Sequence, residues 1–280
     1  MCKSVTLKGV FIMSERFRID HDYHIHSKLS SCSGDHKQNA ERILQYAIDN
    51  GFNEICITDH FWDSEKVPCT IQWYERQDLK HVSEILPLPQ AEGVKFRFGC
   101  ETELDSNLTL GISPESYDKF DFIIIPTTHL HMPGFGDKTS IEDRAKIYVE
   151  RLDAVLDMDL PFHKVGIAHL TCPLMAAHRK EDPMEHVKII DAISDEELTR
   201  VFTKLAQRGA GFELNTDFAR YTEPQFLEGA LRPFRIGKAC GCKFYLGSDA
   251  HHPEGLDDAM RRFEQIVTLL DLKESDRFYI

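Results

Sequence analysis

The chain has 280 residues, 42% hydrophobic and 28% charged, a profile that fits one large globular domain or two small ones. Its net charge of −13, from 46 acidic against 33 basic residues, argues against a surface that coats nucleic acid, which needs clustered Lys and Arg. No apolar stretch approaches the ~18 residues of a membrane span.

Strand-like and helix-like segments alternate along the sequence. Residues 17–26 (FRIDHDYHIH) read as a strand, and 37–51 as a helix stopped by Gly51. A second strand follows at 54–60, then a predicted helix over 70–86 that Pro87 and Pro89 break. Strands are expected at 94–104 and 120–129, the latter apolar enough for burial on both faces. Ser140 caps a long helix over 140–158, and a strand follows at 164–170. A Ser-capped, Gly-terminated helix at 194–209 leads to a strand at 210–217. Residues 224–241 read as mostly helix, 243–251 as the last strand and 256–270 as the last helix. Residues 130–139 and 171–193 read as loops.

This alternation predicts a parallel sheet with right-handed crossovers. Candidate ligands sit on both the first and the last strand, so a closed or nearly closed barrel brings them together where an open sheet separates them. The expected architecture is a single α/β domain over 1–280, a distorted (β/α)7 barrel with its site at the carboxyl ends of the strands.

Polar residues recur at the predicted strand ends: His24 and His26, Asp59 and His60, Glu101 and Glu103, His129 and His131, His169, Asn215 and Asp217, Asp249 and His251. Side chains alternate along a strand, so a His-x-His pair points both rings to one side. Each residue alone has an ordinary explanation, such as a surface histidine or a helix cap. Their joint occurrence around one rim points to metal. Histidine and carboxylate without cysteine suit Zn, Mn or Fe. The donors are too many for one tetrahedral ion, so two or three divalent ions sharing a carboxylate are expected. Such a cluster orients a phosphate and activates water.

The segments Asp22-Tyr-His24-Ile-His26-Ser, Thr58-Asp59-His60, Gly99-Cys-Glu101, Thr128-His129, Ala168-His169 and Gly247-Ser-Asp249-Ala-His251 resemble the PHP (polymerase and histidinol phosphatase) family, in order, over about residues 20–252. The resemblance implies a distorted (β/α)7 barrel holding three metal ions. It implies that His24, His26 and Asp249 hold one ion and that Glu101 bridges to a second, bound by His129 and His169. It further implies that His60 and His251 hold the third, whose further ligand is sought among Cys32, Asp35 and His36, with Asp35 favoured as the harder donor. Asp249 is also the candidate for proton transfer. Glu213-Leu-Asn215-Thr-Asp217-Phe-Ala-Arg220 resembles the histidinol-phosphatase-type branch, in which the Arg grips phosphate. Arg220 is thus the candidate substrate-binding residue. Arg179 and Lys180 are weaker ones, and His131 is the likeliest further ligand.

The expected function is a metal-dependent phosphatase acting on a small phosphate monoester through a metal-activated hydroxide. L-Histidinol phosphate is the best single substrate guess, which would place the protein in histidine biosynthesis. The alternatives are a phosphodiesterase or exonuclease acting on short oligonucleotides, and a metal-binding regulatory protein without turnover. The eight Cys lack a CxxC pair and read as reduced, packed thiols of a cytoplasmic protein with no membrane or long nucleic-acid partner. Met13 is a possible alternative start.

Overall fold

In the computed structural model, which describes residues 15–280, strands and helices alternate much as the periodicities predict. Cys2 and the alternative start at Met13 lie outside the described residues. The strands are β1 (His21–Ile25), β2 (Glu54–Ile57), β3 (His60–Phe61), β4 (Lys95–Phe98), β5 (Cys100–Thr102), β6 (Ile123–Pro126), β7 (Val165–Ala168), β8 (Gly211–Leu214) and β9 (Lys243–Leu246). The helices are α1 (Ala40–Asp49), α2 (Leu79–Val82), α3 (Ile141–Asp157), α4 (Glu185–Asp191), α5 (Asp195–Arg208), α6 (Pro224–Ala239) and α7 (Pro253–Leu269).

Pairing between these strands is parallel throughout. One sheet runs β1-β2-β4 and the other β3-β5-β6-β7-β8-β9. The chain passes between the sheets three times, from β2 to β3, back from β3 to β4, and again from β4 to β5; the first passage spans two residues and the last spans one. The far edges also meet. Ile25 and Ala250 form an isolated parallel bridge. The Asp249 N–H donates to the His24 carbonyl at 2.8 Å, and the His26 N–H to the Ala250 carbonyl at 3.1 Å.

Burial on both faces explains the apolar runs. In β6 (IIIP) and β7 (VGIA) every residue is buried. A small inner cluster gathers Tyr23, Cys56, Phe122, Ile124, Ala168 and Tyr245 from strands of both sheets. Gly166 makes room for Tyr245, because a Cβ there would overlap the Tyr245 ring and hydroxyl. The larger core fills the space between strands and helices.

Local signals set the helix ends. Ser140 accepts from the Asp143 N–H at 3.0 Å, and Ser194 from the Glu197 N–H at 3.1 Å. Gly209 ends α5 at φ 78°, in the left-handed region. Asn39, not anticipated as a cap, accepts from the Arg42 N–H at 2.8 Å.

Three expectations need correction. The helix over 70–86 reduces to short turns and the single turn α2, because Asp78 restarts the chain as a cap just before it. The strands are shorter than the apolar runs, since those runs continue into the loops that carry the site. Residues 171–193 are not all loop: α4 lies there and buries Val187, Ile189 and Ile190.

Candidate metal centre

The strand ends place eight side chains within reach of one another: His24, His26, His60, Glu101, His129, His169, Asp249 and His251. They fall into four overlapping groups whose donor atoms lie within 4.8 Å of each other: His26, His60 and His251; His24, His169 and Asp249; His24, His26 and Glu101; Glu101, His129 and His169. His24 and His26 flank the last residue of β1, and their Nε2 atoms converge to 3.0 Å. Glu101 sits in β5 at the centre. Its Oε2 lies 3.0 Å from His60 Nδ1 and 3.2 Å from His26 Nε2, while Oε1 lies 3.1 Å from His169 Nε2. Asp249 Oδ1 lies 3.2 Å from His26 Nε2 and 3.4 Å from His24 Nε2.

The backbone is bent to make this arrangement. His169 and Asp249 adopt φ of 62° and 52°, a region that non-glycine residues seldom occupy. Both follow a strand end directly or closely, so the bend turns their side chains back toward the strand mouths.

A second layer holds the rings, and sequence reasoning had not assigned it. Glu213 Oε1 accepts from His24 Nδ1 at 2.5 Å, and Oε2 accepts from the His169 N–H at 3.0 Å. Glu103 Oε2 accepts from His129 Nδ1 at 2.7 Å. Asp59 accepts from the Ser27 N–H at 2.7 Å and the Ser30 hydroxyl at 2.6 Å, and that hydroxyl lies 2.8 Å from His26 Nδ1. Asn215 Nδ2 lies 2.9 Å from His169 Nδ1. The available signal was period two: Glu103 and Asn215 follow Glu101 and Glu213 by two residues and point to the same side of a strand.

Burial and charge compete in the site. Burial favours a neutral Glu101, yet His60 and His24 hold its carboxyl well below the usual carboxylate range. Burial opposes charge on Asp249 too, and His169 and His24 likewise keep it well below that range. For His169, burial lowers the ring's pKa, but Asp249, Glu101 and Glu213 outweigh it and raise it to about 9. Burial, then His26, pushes His251 down to about 3. His131 is pushed down to about 4 by burial, then by His129 and Arg179.

The donor chemistry fits divalent cations. Two imidazole nitrogens converge on each other and on two carboxylates, a crowding that a cation between them resolves. Among the described residues, no Lys or Arg lines the cavity over these groups. Each of three ring-bearing residues has its second nitrogen fixed by a buried partner, the arrangement found behind metal-bound histidines.

Other expected residues lie at varied distances. Of the three candidates in the loop after β1, Cys32 comes nearest, its Sγ 3.2 Å from His60 Nε2. Asp35, the favoured one, instead faces His252 at 3.9 Å. His131 lines the cavity over the site. Arg220 is exposed, with its guanidinium 5.8 Å from the Tyr221 ring centre, and is not part of that cavity's lining. Arg179 and Lys180 line an adjoining crevice that also contains His131.

Parallel strands whose mouths hold a ring of imidazoles and shared carboxylates define a hydrolase that works through bound ions. The PHP domain family matches residues 22–217, and the chain belongs to that family of metal-dependent phosphoesterases. No curated protein sequence matches the chain. Among solved structures, the chain is similar to histidinol phosphate phosphatase from Lactococcus lactis subsp. lactis Il1403, complexed with Zn, L-histidinol and phosphate. That match has 16% identity and a TM-score of 0.53 and covers 93% of this chain and 99% of the other. It is also similar to a candidate histidinol phosphatase from Listeria monocytogenes, at 14% identity and TM-score 0.56, covering 84% of this chain and 96% of the other. At such identities the likeness is one of fold. No helix among the described residues is long and apolar enough to cross a membrane.

Proposed function

We propose that the protein is a phosphomonoesterase that binds two or three divalent ions, Zn, Mn or Fe, and hydrolyses a small phosphorylated substrate. The observation that carries this reading is Glu101, whose two oxygens face different imidazoles: His26 and His60 on one side, His169 on the other. A carboxylate so placed suits a bridge between ions. In this reading His24, His26 and Asp249 would hold the first ion, Glu101, His129 and His169 the second, and His60 and His251 the third. When bound, the ions supply Lewis acidity and an activated water.

The protein's own groups do the rest. Asp249 stays ionised and its side chain is 30% exposed toward the cavity, so it can take the proton of the attacking water. Glu213 and Glu103 keep His24 and His129 in one orientation. Arg220 is retained as a phosphate ligand by resemblance only. Arg179 is better situated: its charge reaches His131 at the cavity, and its Nη1 is buried without a hydrogen-bond partner among the described residues.

We read the two sheets as one distorted (β/α)7 barrel forming a single domain. The bridge between Ile25 and Ala250, the short crossings between sheets and the shared inner cluster support this. Seven free cysteines among the described residues favour the cytoplasm. The test is hydrolysis of a panel of phosphate monoesters, L-histidinol phosphate included, by protein loaded with Mn or Zn. Release of phosphate that stops on chelation is expected. Activity that survives exhaustive chelation overturns the reading.

A further inference from the structure

The cavity over the site, about 600 Å³, has two unlike halves. Its floor is the imidazole and carboxylate cluster. Its wall includes Ile71, Gln72, Trp73, Met132, Pro133 and Leu174. Ile71 and Trp73 come from the segment after β3, Met132 and Pro133 from the loop after β6, and Leu174 from the turn after β7. The wall is anchored from behind: Ile71 is buried with Trp62 and Tyr74, and Met132 packs on that group. Trp73 stands edge-on to His60, ring centres 4.8 Å apart at 74°, yet remains 37% exposed. A large aromatic beside the reacting centre and open to the cavity is a contact surface for a ligand.

The wall's charge is as informative as its shape. Among the described residues lining the cavity, the carboxylates are Glu101 and Asp249, and both face the imidazoles. No Asp or Glu stands on the wall. On the other side of Asp249 and His251 lies a more polar crevice, where Asp217 and Asp258 are paired with Arg261 and Glu254 stands in the first turn of α7, outside the cavity wall. An ammonium group seated against the wall would therefore lose water without gaining a counter-charge, at a cost that apolar burial does not repay.

We propose that the ester cleaved here carries a flat, uncharged aromatic group that packs on Trp73, and that the wall disfavours an ammonium in its place. The inference rests on the phosphomonoesterase reading and separates the substrate from L-histidinol phosphate, which bears an ammonium on the carbon next to the esterified methylene. Water adds to phosphorus, the bond from phosphorus to the ester oxygen breaks, and the water's proton passes to the departing alkoxide. An uncharged alcohol and inorganic phosphate result.

The test compares 3-phenylpropyl phosphate with 2-amino-3-phenylpropyl phosphate, which differ by one ammonium, on the full chain loaded with Mn or Zn. The first is expected to have at least tenfold higher kcat/KM. Trp73→Ala should shrink the preference for 3-phenylpropyl over propyl phosphate at least fivefold, and its partial exposure makes misfolding a small risk. Calorimetric binding of the two corresponding phosphonates gives the same comparison without turnover. Tighter binding of the uncharged phosphonate with no ester cleaved supports the wall's preference for an uncharged aromatic group while overturning the phosphatase reading, and with it the claim that an ester is cleaved here. Equal affinity and equal kcat/KM for the two compounds, or preference for the amine, overturns the proposal and leaves the phosphatase reading standing.

Discussion

Glu213 ties His24 to His169: one of its oxygens accepts from the His24 ring at 2.5 Å, and the other from the His169 backbone N–H at 3.0 Å. The carboxylate is buried and lies on β8, which pairs with β7, whose end carries His169, and with β9, whose end meets the end of β1 that carries His24. It fixes the tautomer and the tilt of His24, leaving Nε2 free to face Glu101 and Asp249. Glu213→Gln keeps the shape and removes the charge. It should weaken metal binding by about 10- to 100-fold, the usual cost of losing such a partner, while the far-ultraviolet circular dichroism stays unchanged. Competition with a chromophoric chelator measures this. Unchanged affinity would show that the carboxylate has no part in holding His24.

Gly247 offers an independent probe of that contact. A Cβ there would overlap Glu213 Oε1 and lie 2.8 Å from the His24 Cβ, so Glu213 must swing away from the His24 ring or the His24 backbone must move. Gly247→Ala is expected to reproduce the loss of metal affinity seen with Glu213→Gln. Wild-type affinity in this variant would mean that the strand mouth yields more easily than its packing suggests.

Much of the site was legible because strand periodicity and short motifs were enough. His24 and His26 share a side through period two, and their partners recur after later apolar runs. The second layer was less legible. Glu103 and Glu213 look like any strand-end acids until His129 and His24 are seen beside them. Asp35 was preferred over Cys32 on donor hardness, but that rule carries no information about the path of the loop, which brings Cys32 to His60. Propensity failed over 70–86, where the segment is shaped by packing of Ile71 and Tyr74 around Trp62, a tertiary contact. The helix α4 was hidden because it is short and follows a polar stretch.

Arg151 is 1% exposed and gives its guanidinium to three backbone carbonyls: Thr127 at 2.7 Å, Asp105 at 2.8 Å and Leu104 at 2.7 Å. It joins α3 to the segments after β5 and β6, which carry Glu103 and His129. Arg151→Met would strand all three acceptors and leave Glu103 without its nearby cation. A loss of about 3–5 kcal/mol is expected in urea unfolding. Arg151→Lys should recover only part of it, since one ammonium cannot reproduce the planar fork. A loss below about 1 kcal/mol for Arg151→Met would contradict this role.

His186, inside α4, is pushed down to about 4 by burial and then by the charge of Arg220. Its Nε2 lies 2.8 Å from the Tyr221 hydroxyl. The folded value lies below the ordinary 6.5, so between pH 6.5 and 4 the unfolded chain takes up a proton that the folded chain refuses. Stability from this group is present above pH 6.5 and is lost as the pH falls to about 4, by at most about 3 kcal/mol. His186→Gln keeps a polar group near Tyr221 but cannot titrate. The difference in unfolding free energy between wild type and variant should shift against the wild type as pH falls through that window. A pH-independent difference would contradict it.

The most direct measurement is the number of divalent ions bound per chain, obtained by elemental analysis of protein purified with Mn or Zn and then freed of loosely held metal. The eight clustered side chains predict two to three ions, and about one fewer in Glu101→Gln, where the shared carboxylate is lost. Less than one ion per chain, or an unchanged count in Glu101→Gln, would contradict the account.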